Sequence, residues 1–235
     1  MARLFVGTSG FAYPEWKPAF YPEDLKQADM LAYYASRLHS VEINYSFRRF
    51  PAATTLTRWA EVAPEGFRFA LKANRRITHT RRLRECDTDV SEFLQLCRLL
   101  GDHLGPILFQ LPPTLQFDRG LLESFLGYLP PVAPYAMEFR HESWSAARDL
   151  LAEHGVAWCT AETGADEVGR ASIPSEPFAY LRLRREDYSD EDIAAWAAGI
   201  RTVLDSGRDV YAYFKHEDGA AAPRWGQELA RIVNT

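Results

Sequence analysis

The chain alternates between two hydrophobic rhythms. Short apolar runs bounded by turn residues predict strands at Leu4–Thr8, Val41–Asn44, Phe67–Lys72, Ile107–Leu111, Tyr135–Phe139, Val156–Thr160, Ala179–Leu183 and Val210–Phe214. Between them, apolar positions recur every 3.6 residues over Ala28–Leu38, Ala53–Val62, Val90–Leu100, Leu121–Tyr128, Ser145–His154, Asp190–Leu204 and Gln227–Val233, which predicts helices. Asp118 and Ser189 stand where helix N-caps belong, and Gly155 and Gly207 where a helix hands over to a turn. Only Thr163–Pro177, between the sixth and seventh strands, lacks a helical period.

Strands alternating with helices at roughly 29 residues per unit are what parallel strands with helical crossovers require, and eight such units close a (β/α)8 barrel. The expectation is therefore an α/β protein, a TIM-like barrel with residues 1–235 as a single domain. The rival, an open doubly wound sheet, lacks its dinucleotide loop: Gly7-Thr8-Ser9-Gly10 reads GxxG, not GxGxxG.

The phase within the strands says more. Parallel strands covered on both faces are usually continuous apolar runs. Here Val41 and Ile43 flank Glu42 with Asn44 next in phase, Phe69 and Leu71 alternate with Ala70 and Lys72, Met137 and Phe139 with Glu138 and Arg140, and Leu181 and Leu183 with Arg182 and Arg184. If the apolar set faces the helices, the polar set points into the barrel. Charges there must pair with one another, meet water or meet a ligand. A salt-bridge network that only specifies the barrel and a ligand site are both open on this evidence, and the strand ends are where barrel enzymes work.

Composition narrows the field. The 235 residues are 47% hydrophobic and 25% charged, a globular balance, and the net charge of −5 argues against a whole-surface nucleic-acid binder. His103–Phe117, the longest stretch free of Asp, Glu, Lys and Arg, is too short and too broken by prolines to span a bilayer. No secretory signal opens the chain, so no membrane association and a cytoplasmic location are expected. Three cysteines without a CxxC pair (Cys86, Cys97 and Cys159) support neither a zinc ribbon nor a disulfide framework.

Several motifs together resemble the YecE-like proteins, domain-of-unknown-function family 72. They are Gly7-Thr8-Ser9-Gly10-Phe11-Ala12-Tyr13-Pro14-Glu15-Trp16 with Phe20-Tyr21-Pro22, Val41-Glu42-Ile43-Asn44 with Ser46-Phe47, Phe67–Lys72 with Ile77-Thr78-His79, Gln110-Leu111-Pro112-Pro113, and Glu138-Phe139-Arg140-His141-Glu142-Ser143-Trp144. The resemblance runs from Arg3 to about Asn234 and implies a TIM-like barrel, but no substrate. The sequence departs from the family pattern at Asn44-Tyr45-Ser46-Phe47-Arg48, at Arg184-Arg185 and at Lys215-His216. All three departures fall at strand ends and suggest a more anionic ligand.

Glu42 and Glu138, ending the second and fifth strands with Lys72 and Arg140 in phase nearby, suit general acid–base work with electrostatic support. Glu42, Glu138 and Lys72 are thus the candidate catalytic residues, with Arg140 and Arg182 binding an anion. Asn44, Gln110 and His79 complete the ligand set, and Tyr13 and Trp16 offer stacking faces unless they merely pack a loop over the barrel. From Arg68 to Arg84 seven basic residues precede the first acid, Glu85, a patch suited to phosphates or simply a solvated loop. Thr8 and Ser9 between glycines are a weak candidate for an anion nest. A metal set drawn from Glu42, Glu138, His141, Glu162, His216 and Glu217 is the lesser reading, since no HxH or HExxH spacing supports it. No cofactor and no metal are expected. The favoured function is an enzyme (hydrolase, lyase or isomerase) on an anionic sugar- or nucleotide-like ligand. The alternative is a non-catalytic binder of single-stranded nucleic acid or of a phosphorylated metabolite through the basic loop after the third strand.

Overall fold

In a computed structural model that describes residues 1–162, 173–215 and 219–235, eight parallel strands close into a barrel in chain order. They are β1 (Leu4–Ser9), β2 (Ser40–Ile43), β3 (Arg68–Lys72), β4 (Leu104–Gln110), β5 (Tyr135–Glu138), β6 (Val156–Ala161), β7 (Ala179–Leu183) and β8 (Val210–Phe214). Closure runs through the pairing of β1 with β8, from Leu4–Val210 to Thr8–Phe214. Outside lie α1 (Met30–Ala35), α2 (Ala53–Val62), α3 (Asp87–Cys97), α4 (Arg119–Gly127), α5 (Arg148–Glu153), α6 (Asp190–Asp205) and α7 (Ala221–Val233). The stretch Thr163–Pro177 falls largely outside the described residues. No helix among the described residues is long and apolar enough to cross a membrane.

The expected phase of the strands holds. Apolar residues such as Val41, Phe69, Leu71, Met137 and Leu181 join the core between barrel and helices, while a second, smaller core fills the lumen. At the N-terminal end of the barrel Phe5 stacks on Tyr211 at 4.6 Å, Phe178 meets Tyr211 edge-on, and the Arg3 and Arg68 guanidinium groups cover Phe5. Above this plug come small and medium side chains, Ala70, Leu108, Ala136 and Ala157, with Tyr180 and Tyr213. The charges occupy the layer above, at the C-terminal ends of the strands.

The expected caps are present. Asp118 Oδ1 accepts from Leu121 N at 3.0 Å, and Ser189 and Asp192 exchange side-chain and backbone hydrogen bonds at the start of α6, devices worth about 1 kcal/mol each. Several boundaries differ from expectation, two of them with a local cause. β4 begins at Leu104 rather than Ile107, because Gly105-Pro106 lies within the strand where the β3–β4 register shifts; such irregularities accommodate residues that otherwise break strands. α7 begins at Ala221 rather than Gln227. Pro223 sits in its first turn, where a missing N–H costs nothing, and at Gly226 an added Cβ would come 3.2 Å from Leu38 as the helix closes on β1.

β1 and β2 are joined through a helix. The Tyr34 hydroxyl of α1 accepts from Thr8 N at 2.8 Å and donates to Ser40 O at 3.0 Å. Gly10 N donates to Glu42 O at 2.9 Å. With the Thr8 and Gly10 amides thus engaged, an anion nest in this turn loses those donors.

Candidate functional site

The top layer of the barrel is an ion network centred on Arg182, 3% exposed and projecting from β7. Its Nη2 donates to Glu42 Oε1 at 2.8 Å and its Nη1 to Glu138 Oε2 at 2.6 Å. Glu138 also pairs through Oε1 with Arg140, whose side chain is 25% exposed. One guanidinium therefore spans two carboxylates carried by β2 and β5. Bridging two carboxylates through separate nitrogens of one planar group favours arginine over lysine.

Glu42 has no exposed surface and is held by hydrogen bonds at both oxygens. Besides Arg182, its Oε1 accepts from Ser9 Oγ at 3.0 Å and Asn44 Nδ2 at 2.9 Å, and its Oε2 accepts from the Tyr180 hydroxyl at 2.9 Å. Burial alone would raise its pKa. The Arg182 charge and the donated hydrogen bonds overcome that and draw it down to about 2. Glu42 thus stands as a charged partner of Arg182, which gives little support to proton exchange with a ligand. A carboxylate with so weak a hold on a proton is poorly matched to acid–base work near neutrality, and its bonds gather Arg182, Ser9, Asn44 and Tyr180 around it. Glu138, 1% exposed between two arginines, is likewise engaged in pairing.

Lys72 differs from both. It ends β3 half-buried, donates to Gln110 Oε1 at 2.7 Å, and lies 4.2 Å from the centroid of the Phe47 ring. Gln110 is held in turn by its Nε2, which donates to Leu111 O at 3.0 Å. Among the described residues no carboxylate pairs with Lys72. Burial lowers its pKa and the Arg182 charge lowers it further; Glu42 and Glu138 counteract only in part, leaving it at about 8. The cation that the sequence places between two glutamates is thus Arg182, and Lys72 stands beside them against a neutral acceptor.

The rim completes the mouth. The His79 ring meets Phe47 edge-on at 4.9 Å, and its pKa is lowered by burial and then by Lys72, Arg75 and Arg82. Tyr13 donates its hydroxyl to Ser9 O at 2.7 Å and, with Gly10, Asn44, Tyr45 and Trp59, lines a cleft of about 210 Å³. Trp16 does not face a ligand. It is fully buried, its ring 4.9 Å from Tyr13 and 5.7 Å from Phe20, so packing of the loop over the barrel absorbs it. Arg184, which the strand phase directs inward but which is absent from the candidate ligand set, lies half-buried at the mouth, where burial and then Arg182 lower its pKa. Tyr180 and Phe47 were also missed, because aromatic residues in strands and turns read as core.

Much of the basic loop is tied down. The buried Asp89 pairs with Arg76 at 2.7 Å and Arg81 at 3.4 Å, Arg84 faces Asp118 at 3.6 Å, and Arg82 donates to Thr114 O at 2.7 Å. After a π-helical turn at Arg76–Thr80, Arg82, Leu83 and Glu85 all take left-handed backbone angles, a conformation costing L-residues about 1 kcal/mol or more each. Among the described residues no three potential metal ligands gather. Of the lesser metal set, His216 and Glu217 lie outside the described residues, while Glu162 accepts from Arg184 N at 3.2 Å and pairs with the Tyr188 hydroxyl.

Comparison with known proteins matches residues 5–235 to the family described as protein of unknown function DUF72. The chain is 30% identical to UPF0759 protein YecE of Escherichia coli K12, over 99% of this chain and 83% of that protein. A DUF72 family protein from Thermotoga maritima has a similar structure, with a TM-score of 0.87 at 22% identity, covering 99% of this chain and 100% of that one. D-allulose 3-epimerase from Methylomonas sp. shares the fold with a TM-score of 0.63 at 12% identity, covering 100% and 99% of the two chains.

Proposed function

The chain belongs to the DUF72 family, and from that footing we propose that it is an enzyme, a lyase or isomerase that moves a proton beside the carbonyl of an anionic sugar-like compound. The observation that carries this reading is Lys72, a half-buried amine at a strand end with a pKa of about 8 and a neutral amide as its hydrogen-bond partner. A base poised near the working pH is what such proton transfer needs. Abstraction leaves negative charge on the former carbonyl oxygen. Arg140 and Arg184, both half-buried at the mouth, supply the positive field for that charge, and Arg182 and Glu138 hold Arg140 in place.

Hydrolysis by a carboxylate pair is less well supported, because Glu42 and Glu138 are both engaged by Arg182. The sugar 3-epimerase named above has a barrel of similar shape; that likeness is one of fold, and the reading rests on Lys72 rather than on it. Binding of single-stranded nucleic acid along the basic loop is also less well supported, since Arg76, Arg81, Arg82 and Arg84 have partners within the chain.

The test is deuterium exchange at carbon, followed by proton NMR in D2O with a panel of ketoses, ketose phosphates and sugar acids. The expected result is exchange beside a carbonyl by the wild type and none by Lys72→Met. Exchange that survives in Lys72→Met overturns the assignment.

A further inference from the structure

Outside the strand ends, the β2 and β3 loops enclose a cleft of about 500 Å³ lined by Arg48, Arg49, Phe50, Asn74, Arg75, Arg76 and Thr80. Four arginines and no acidic residue line it, in a protein whose net charge is −5. Only Arg76 is spoken for, by Asp89. Among the described residues Arg48, Arg49 and Arg75 have no side-chain partner. Like charges gathered on a concave surface repel one another, and the repulsion is relieved when an anion enters.

The floor of this cleft is rigid. Ser46 Oγ bonds both Ile43 O at 2.9 Å and Lys72 O at 2.7 Å, Asn74 Nδ2 donates to Ser46 O at 3.0 Å, and Asn74 Oδ1 accepts from Arg76 N at 3.0 Å. Asn74 is 3% exposed, so these bonds are shielded from water. The arginines therefore project from a preformed base instead of a loop that must first be ordered, which lowers the entropic cost of binding.

The cleft also adjoins the barrel mouth. Arg75 follows Lys72 by three residues, about 10 Å of extended chain at most. Arg48 follows Phe47, whose ring lies over Lys72 and against His79, and Thr80 follows His79. Phe47 and His79 thus lie between the cleft residues and Lys72 along these loops.

We propose that this cleft is a phosphoryl-binding subsite, and that the substrate carries a phosphate monoester or pyrophosphate at the end remote from its reacting carbonyl. The inference rests on the proposed chemistry at Lys72 for the word substrate, but not for the binding of phosphate. Guanidinium forks match phosphate oxygens in pairs, and several of them suit a dianion better than a single carboxylate. A polymer is disfavoured because the cationic surface does not continue. Beyond the cleft, Arg81, Arg82 and Arg84 are held by Asp89, Thr114 and Asp118.

The test uses inorganic phosphate, pyrophosphate and a single-stranded oligonucleotide as probes, titrated calorimetrically into the wild type, Arg75→Gln and Arg49→Gln/Arg75→Gln at fixed salt. Both arginines are exposed, and the single variant keeps the comparison informative if the double one folds poorly. Pyrophosphate binding that weakens about tenfold or more for each arginine removed is the expected result. Oligonucleotide binding without measurable pyrophosphate binding, or pyrophosphate binding unchanged in both variants, overturns the subsite. The deuterium-exchange panel separates the two readings. Pyrophosphate binding lost in the variants with no exchange in the wild type leaves the subsite standing and removes the chemistry. Exchange on phosphorylated and unphosphorylated ketoses alike, with KM unmoved by the arginine substitutions, removes the subsite and leaves the chemistry standing.

Discussion

The Lys72 ammonium lies 2.7 Å from Gln110 Oε1, an uncharged acceptor, while both carboxylates nearby turn to Arg182. A guanidinium takes the carboxylates because it reaches two at once. The lysine is left with an amide and an aromatic ring, and burial first and the neighbouring Arg182 charge second are what favour its neutral amine.

Replacing Lys72 by methionine is therefore expected to raise stability and, on the proposed chemistry, to abolish exchange. The folded-state pKa of about 8 lies below the ordinary 10.5, so between those values the unfolded chain binds more protons than the folded one. Stability consequently rises with pH across that window, and the cost of burying the ammonium is borne in full below about 8. Lys72→Met removes that cost, and a gain of about 1–3 kcal/mol in urea denaturation at neutral pH is expected. A loss of stability instead shows that the lysine serves the fold.

At Glu42 the sign is opposite. A carboxyl drawn from 4.5 down to about 2 contributes stability that is present above 4.5 and lost as the pH falls through about 2. Glu42→Gln leaves Arg182 with one carboxylate in a buried setting and is expected to cost about 3–5 kcal/mol near neutrality. Its acid-denaturation profile should also be flatter than the wild type's between pH 4.5 and 2. A variant as stable as the wild type shows that the network contributes nothing to the barrel.

Arg140 separates binding from folding. Its side chain reaches the mouth, and Glu138 keeps Arg182 when Arg140 is removed. Arg140→Gln is expected to change stability by less than about 1 kcal/mol and to raise KM in the exchange assay about tenfold or more. A large stability loss with KM unchanged makes Arg140 part of the brace alone.

The barrel was legible because strand phase and helix period are local signals. Val41, Glu42 and Ile43 already state which side faces the helices. The convergence of Glu42, Lys72, Glu138, Arg140 and Arg182 at one end follows from the same phase once the strands are parallel. The pairing within that layer was not legible. Phase puts Arg182 and Lys72 on the same face, and only side-chain length and fork geometry decide which of them meets the glutamates. Trp16 shows the other limit: an aromatic residue after a strand has the same letter whether it stacks on a ligand or on Tyr13 and Phe20. The arginines of the β3 loop divide by partners far along the chain, Asp89 for Arg76 and Arg81 and Asp118 for Arg84, which no local pattern announces. α7 was half-read because Pro223 and Gly226 carry helix-breaking chemistry in places where the first turn and the approach to β1 tolerate it.

The aromatic plug of Phe5, Tyr211 and Phe178 and the core above it close the barrel from its N-terminal end, so a ligand approaches Lys72 only from the strand C-terminal ends. Traffic in and out shares one opening, so the part of a molecule that enters first leaves last. A compound whose carbonyl descends to Lys72 while its phosphate stays at the rim must free the phosphate before the rest can withdraw. On the proposed subsite, removing the rim arginines is expected to shorten the stay of a product as directly as it loosens the hold on a substrate.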